Sequence, residues 1–365
     1  MRTLQRISSS LLEGGLFLMN TNSSDGPRFR KVPADAPDFA EFSRTRKLLR
    51  EALADESKAD IGFLRELGNF QDPDGSFKLT DTWKIPSDAR VDFCYMPTYI
   101  GAAIFMREFL KQGKPEADFT RKILESALTS SLGRGLSGHG YEGESGTLEA
   151  LDVFKEGGLR AFLDTAPNVC PEFHAMVWNI IDSHTAELRE RNCITGSWGE
   201  DYTDHWERLL SEITPQKRYY LAYGSNMSSA RMLERCPDAK RVGNVYICGW
   251  KLTFHFFANI EPVPSARTPA VIWELHNNDE QKLNRCEGFP KHYQKDNIIV
   301  ELNGSRISAM AYVMTPWKKT KDPRATNPPD AKYIDTMMRG YSESGFDGSI
   351  LLNGMPLARR PNDNR

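Results

Sequence analysis

From Phe42 onward, apolar residues recur three and four apart through "FSRTRKLLREALADESKADIGFLRELGNF", the spacing that lines one face of a helix. The same period returns in "PTYIGAAIFMREFLKQG", "ADFTRKILESALTSSL", "GTLEALDVFKEGGLRAFLD" and "PEFHAMVWNIIDSHTAELRERN", with glycine- and proline-bearing connectors between them. "QDPDGSF" interrupts the pattern: Pro73 fixes φ and Gly75 accepts a positive φ, so this is a turn. Residues 41–212 therefore read as an all-helical domain. Beyond Thr214 the period shortens. "YYLAYG", "RVGNVYICGWKLTFHF", "PAVIWEL", "DNIIVEL" and "ISAMAYVMTP" alternate or run apolar and favour β-branched and aromatic types, which predicts strands. Helical spacing persists there only in "SSARMLERC", "NDEQKLNRC" and "AKYIDTMMRGYSESG". The reading is α+β: an all-α domain, then a strand-rich domain over residues 218–350. Residues 1–40, rich in turn formers, read as tail and linker, and 351–365 as a C-terminal tail.

A chain of 365 residues is long enough for two such cores. Its formal charge of −2 excludes a general nucleic-acid or membrane-surface binder, but the charge is unevenly spread. Residues 1–217 carry 26 basic and 34 acidic side chains; residues 218–365 carry 21 and 15. A mildly basic C-terminal half suits a carboxylate-bearing small molecule. The six cysteines are scattered with no Cys-x-x-Cys, so no zinc site or redox pair is written, and a reduced, cytoplasmic protein is expected. No apolar run reaches the ~18–20 residues that span a bilayer. Neither a P-loop nor a Rossmann fingerprint occurs, so no cofactor is expected.

Chemistry is suggested at three places. The strand in "RYYLAYGSNMSS" ends abruptly in Tyr223-Gly224-Ser225-Asn226, followed by Met227 and a helix opening on serine. Such a loop leaves backbone N–H groups pointing outward, ready for an anion or a carbonyl oxygen. In "NNDEQKLNRCEGFPKHYQK" a short helix leads to Glu287, beside Cys286 and Phe289 and ahead of Tyr293. A glutamate in a partly apolar pocket is raised toward neutrality, as a general base requires; an exposed glutamate beside a C-capping Gly288 is the alternative. In "AYVMTPWKKTKDPRATNPPDAKYIDTMMRGYSESGFD", Tyr312 and Tyr333 bracket a basic, proline-bearing loop, and either tyrosine could equally be a packing residue. Separately, "GLSGHGYEGESG" gathers His139, Tyr141, Glu142 and Glu144, which could support acid–base work or form a solvated connector.

Taken in order, "AYGSNM", "CEG" with a following tyrosine, "AYVMT" and the "PP…Y…M…GY…GF" helix resemble the gamma-glutamylcyclotransferase superfamily, including AIG2-like proteins, over about residues 218–350. The resemblance implies a small β-barrel with helices whose loop Tyr223, Gly224, Ser225, Asn226 and Met227 binds a γ-glutamyl group. It implies Glu287 as the acid–base residue and Tyr293 and Tyr312 lining or supporting the pocket. The implied activity is intramolecular aminolysis of a small-molecule γ-glutamyl substrate, giving 5-oxoproline and a free amine, with no metal. The alternative is a non-catalytic γ-glutamyl-binding or regulatory module. The helical domain lies outside the resemblance; docking of a protein partner, or adjustment of KM and substrate range, is the role expected of it. "FFANIEPVPSART" reads as a segment between strands that could reshape the substrate end.

Overall fold

The computed structural model describes residues 27–33, 35, 38–80, 95–111, 117–132, 143–196 and 199–355. Helices α1 (Phe39–Ala54) and α2 (Ile61–Phe70) each start on an aspartate: Asp38 accepts from the Glu41 N–H at 3.1 Å and Asp60 from the Phe63 N–H at 2.7 Å. A 3₁₀ turn at Glu56–Lys58 separates them. Helix α3 (Met96–Leu110) opens with Pro97 in its first turn and is buried on nearly every side; of the five helices that follow, the first three pack on it and the last two pack on those. The five are α4 (Ala117–Leu132), α5 (Gly143–Glu156), α6 (Leu159–Thr165), α7 (Pro171–Arg191) and α8 (Thr203–Ile213). The run predicted as one helix over 146–164 breaks between α5 and α6. Gly158 takes φ +90°, and a Cβ on Gly157 would lie 2.6 Å from the Ala103 carbonyl oxygen.

The predicted tails are partly anchored. Phe29 and Val32 are buried and Val32 bridges Thr80, while α13 (Ser349–Gly354) buries Leu351. Residues 1–26 and 356–365 of those tails lie outside the described residues, as do His139, Tyr141 and Glu142 of the predicted acid–base loop; Glu144 falls within α5.

The C-terminal part is built on β1 (Lys217–Ala222), β2 (Lys240–His255), β3 (Phe257–His276), β4 (Tyr293–Leu302) and β5 (Ser305–Met314). Their order in the sheet is β2-β3-β1-β5-β4, antiparallel except for the β1–β5 pair. The expected barrel is therefore corrected: the sheet is open. Strand β2 pairs only with β3, and β4 only with β5, so no ladder joins the two edges. Where those edges approach, Leu302 Cδ1 lies 2.8 Å from the place a Gly243 Cβ would take, a side-chain contact in place of hydrogen bonds. After its first residue, Phe256, which turns the chain out of β2, the segment "FFANIEPVPSART" forms the first half of β3. Beyond the reach of β1 this half has a partner on one side only, which is why Pro262 and Pro264 are tolerated in it.

Helices α9 (Ser229–Arg235), α10 (Asn277–Glu287), α11 (Pro316–Lys321) and α12 (Ala331–Glu343) pack around the sheet. The basic loop after β5 thus contains a short helix, capped by Thr315, whose Oγ1 accepts from the Lys318 N–H. The buried apolar residues form two large cores, one within residues 29–213 and one within 220–351, and a small separate cluster of Val32, Phe42 and Leu79. Between the two large cores lies a buried charge cluster. Arg218 of β1 donates to Asp182 of α7 at 2.9 Å, to Glu280 of α10 at 3.0 Å and to Asn297 of β4 at 2.6 Å, and it stacks 3.9 Å over Trp178. Lys295 of β4 reaches Asp182 at 3.3 Å and also pairs with Glu280.

Candidate active site

Strand β1 delivers the chain to Tyr223, whose hydroxyl donates to the Tyr312 carbonyl oxygen. Gly224 follows. A Cβ there would sit 3.3 Å from Tyr333 Oη, so glycine lets that hydroxyl approach the loop backbone. Ser225–Met227 form a 3₁₀ turn that closes on itself: the Met227 N–H donates to the Gly224 carbonyl at 3.0 Å and the Ser228 N–H to that of Ser225 at 3.2 Å. The helix start at Ser229, expected to await an outside anion, already has one, because its N–H donates to Glu343 Oε2 at 2.7 Å. The N–H groups of Gly224 and Asn226 have no hydrogen-bond partner among the described residues.

Asn226 is the hub beneath this loop, with 4% of its surface exposed. Its Nδ2 donates to Tyr220 Oη at 2.9 Å and to Glu287 Oε1 at 3.2 Å; its Oδ1 accepts from Arg235 Nη1 at 3.0 Å. The same Arg235 nitrogen donates to Glu287 Oε1 at 2.9 Å. Glu287 ends α10, and Gly288 at φ +67° turns the chain away, the C-cap that its sequence position suggested. Its side chain is 18% exposed. Burial pushes the Glu287 carboxyl above the ordinary value of 4.5, and Arg235 and Asn226 offset only part of that rise.

The phenols form the wall. Tyr293 Oη donates to the Ala258 carbonyl at 3.1 Å, and Tyr312 Oη to Asn284 Oδ1 at 2.7 Å. Tyr333 Oη accepts the Ala258 N–H at 3.1 Å, and burial pushes its phenol up to about 12, so it is neutral and keeps a proton to donate. These groups open on one cleft of about 1010 Å³. Of the residues predicted from sequence, Tyr223, Gly224, Ser225, Asn226, Glu287, Tyr293 and Tyr312 all line it. Met227 does not. It is fully buried under α12, where a Cβ on Gly340 would meet its own Cβ at 2.6 Å.

Sequence reasoning missed Arg235, Tyr220 and Tyr333 as site residues. Arg231 and Arg235, four apart on the "SSARMLERC" helix, share a face, which was a usable signal. Tyr333 was visible only as one packing tyrosine among several. Phe256 and Phe257 also line the cleft, from the hairpin between β2 and β3. Among the described residues, no group of three or more His, Cys, Asp or Glu side chains could hold a metal ion.

A strand–loop–helix element facing a buried glutamate, on an open five-stranded sheet flanked by helices, defines the class of this unit. Residues 220–333 match the family described as "Gamma-glutamyl cyclotransferase, AIG2-like"; the helical half lies outside that match. No curated protein matches the chain significantly. Among solved structures, similarity is found to a "Gamma-glutamyl cyclotransferase", at 20% identity over 40% of this chain and 92% of that one, with a TM-score of 0.33. An uncharacterized protein from Homo sapiens is 21% identical over 40% and 92%, with a TM-score of 0.34. YkqA from Bacillus subtilis is 20% identical over 39% and 56%, with a TM-score of 0.33. No helix among the described residues is long and apolar enough to cross a membrane.

Proposed function

We propose that the C-terminal unit is a γ-glutamyl cyclotransferase-type enzyme. The observation that carries this reading is the Glu287 carboxylate, raised by burial and lining the same cleft as Gly224 and Asn226, whose N–H groups have no partner among the described residues. In the reaction the α-amine of a γ-glutamyl group attacks its own γ-carbonyl carbon. The new C–N bond closes the five-membered ring, and the carbonyl π electrons move onto oxygen. When that oxyanion collapses, the original amide C–N bond breaks, and 5-oxoproline and a free amine result. The nucleophile is tethered, so the site has mainly to fold the substrate into the attacking conformer; well-oriented internal reactions reach effective molarities of ~10⁵–10⁸ M.

Two tasks fall to the protein. The α-nitrogen gives up two protons, one before it attacks and one from the cationic ring nitrogen after the bond forms; Glu287 passes them in turn to the leaving nitrogen, which departs as an ammonium, a role that suits a carboxyl whose proton affinity has been raised. The Gly224 and Asn226 N–H groups, and the Tyr333 hydroxyl, stabilise the oxyanion; one such donor typically contributes ~2.7–4 kcal/mol. The Arg235–Glu287 ion pair favours a second reading, a γ-glutamyl-binding module in which the carboxylate stays paired and moves no proton. Release of 5-oxoproline from a γ-glutamyl panel, wild type beside Glu287→Gln, separates them. Turnover that collapses in the variant is expected. Binding without turnover, equal in both proteins, would leave the module reading.

A further inference from the structure

The cleft holds charge that neither the reacting head group nor its own ion pairs use. Its lining includes Arg231, Arg235, Lys318, Arg324, Lys332 and Arg339. Arg235 is engaged by Glu287, and Arg231 pairs with Glu234 at 2.7 Å. Lys318 and Arg324 share the single carboxylate of Asp322. Asp330 caps α12, accepting the Lys332 backbone N–H at 2.7 Å. The side chains of Lys332 and Arg339 have no partner among the described residues and are exposed at the mouth. Counting Asp322 behind the wall, six cations face four carboxylates, in a chain whose formal charge is −2.

This surplus has a direction. Lys332, Thr336 and Arg339 are spaced four and three residues apart, so they form one face of α12, and all three line the cleft. A γ-glutamyl head carries one α-ammonium and one α-carboxylate, so it brings no net charge to balance them. A cleft lined by an excess of one sign focuses its field and raises the local concentration of oppositely charged ligands.

Resting on the γ-glutamyl reading above, we propose that the leaving amine is polyanionic, carrying two or more carboxylate or phosphate charges that Lys332 and Arg339 meet at the mouth. The test is a series of donors with one head group: γ-glutamyl-propylamide, γ-glutamyl-alanine, γ-glutamyl-glutamate and γ-glutamyl-phosphoethanolamine. At low salt, kcat/KM is expected to rise roughly 3- to 10-fold with each negative charge on the leaving amine, and the spread to shrink by at least half at ~0.5 M salt. The doubly substituted Lys332→Glu, Arg339→Glu protein, with folding checked by thermal melting, should reverse the order. Comparing the glutamate and phosphoethanolamine donors decides between a carboxylate and a phosphate source. A flat series, or an order that the double variant leaves unchanged, overturns the proposal. If no donor turns over, the cyclotransferase reading fails separately, and calorimetric titration of the same compounds decides this one. Affinity that rises with charge and is lost in the double variant supports it; equal affinities, or no binding by any of them, overturn it.

Discussion

Glu287 shows how a single side chain is set by several elements at once. Its own helix supplies the position, burial raises its proton affinity, and Arg235 pulls the other way. If the ionised form is the base, the acid limb of kcat/KM for 5-oxoproline release should have its midpoint above 4.5. Arg235→Met removes a positive charge that favours the carboxylate, so the limb should move to higher pH; a midpoint that stays in place or falls would contradict the assignment. The same shift has a cost. A carboxyl raised in the folded state adds stability below its unfolded value of 4.5, and that stability is lost as pH rises through the higher folded value. The site therefore keeps a group that works against folding at neutral pH. Asn226 was legible in the sequence only as part of a loop motif. Its bonds to Glu287, Tyr220 and Arg235 were not, because those residues converge from α10, β1 and α9.

At the scale of elements, the loop after β1 is held from behind by α12. Gly340 lets the helix approach so closely that an added Cβ would lie 2.6 Å from both Met227 Cβ and the Ser228 nitrogen. Gly340→Ala must therefore push α12 or the loop aside, at a cost of roughly 1–3 kcal/mol. Because Tyr333 and the Gly224–Asn226 loop sit on the two sides of that contact, kcat should fall along with the melting temperature. Met227→Ala is the contrasting change. It should cost ~2–5 kcal/mol through the cavity it leaves, while KM stays close to wild type, since Met227 does not face the cleft. Chemical denaturation combined with steady-state kinetics on both variants checks the contrast. The sequence placed Met227 among the ligand-binding residues because it follows the loop directly; the 3₁₀ turn sends its side chain inward instead.

For the whole molecule, the junction between the helical and sheet-bearing parts is ionic and buried. Arg218 and Lys295 lie between Asp182, from α7, and Glu280, from the helix that ends in Glu287. Burial alone would raise the Asp182 carboxyl, but Arg218 and Lys295 hold it down at about 2. A depressed carboxyl stabilises above its unfolded value, near 3.8, and that contribution is lost as pH falls toward 2, so the junction should open across this window. The difference in tryptophan fluorescence between the wild type and Trp178→Phe, which lacks the indole stacked on Arg218, follows it. Asp182→Ala leaves two buried cations sharing one carboxylate and should cost ~3–5 kcal/mol. A chain starting near Lys217 should also be less stable, because it loses α7, which covers β4 and β5 as well as supplying Asp182. The sequence alone suggested that removing the helical half would mainly change KM; its partnership with β1 and α10 could not be seen there.

Local period and local chemistry were legible throughout. Helical spacing, strand alternation and the C-capping Gly288 each depend on residues within a few positions, so the sequence by itself determined the helical first half, the strand-rich second half and the place of Glu287 at a helix end, while the break between α5 and α6 and the strand through "FFANIEPVPSART" emerged only in the structure. It also carried enough ordered motif to resemble the family that residues 220–333 match. What it could not determine was anything set by distant partners. Whether the sheet closes depends on edge pairing between β2 and β4, and the contact of Leu302 with Gly243 in place of a ladder keeps it open. The ion pair on Glu287 joins residues 52 positions apart, and the Asp182–Lys295 contact joins residues 113 apart. Only the tertiary structure brings such groups within a few ångströms, where burial and charge fix their chemistry.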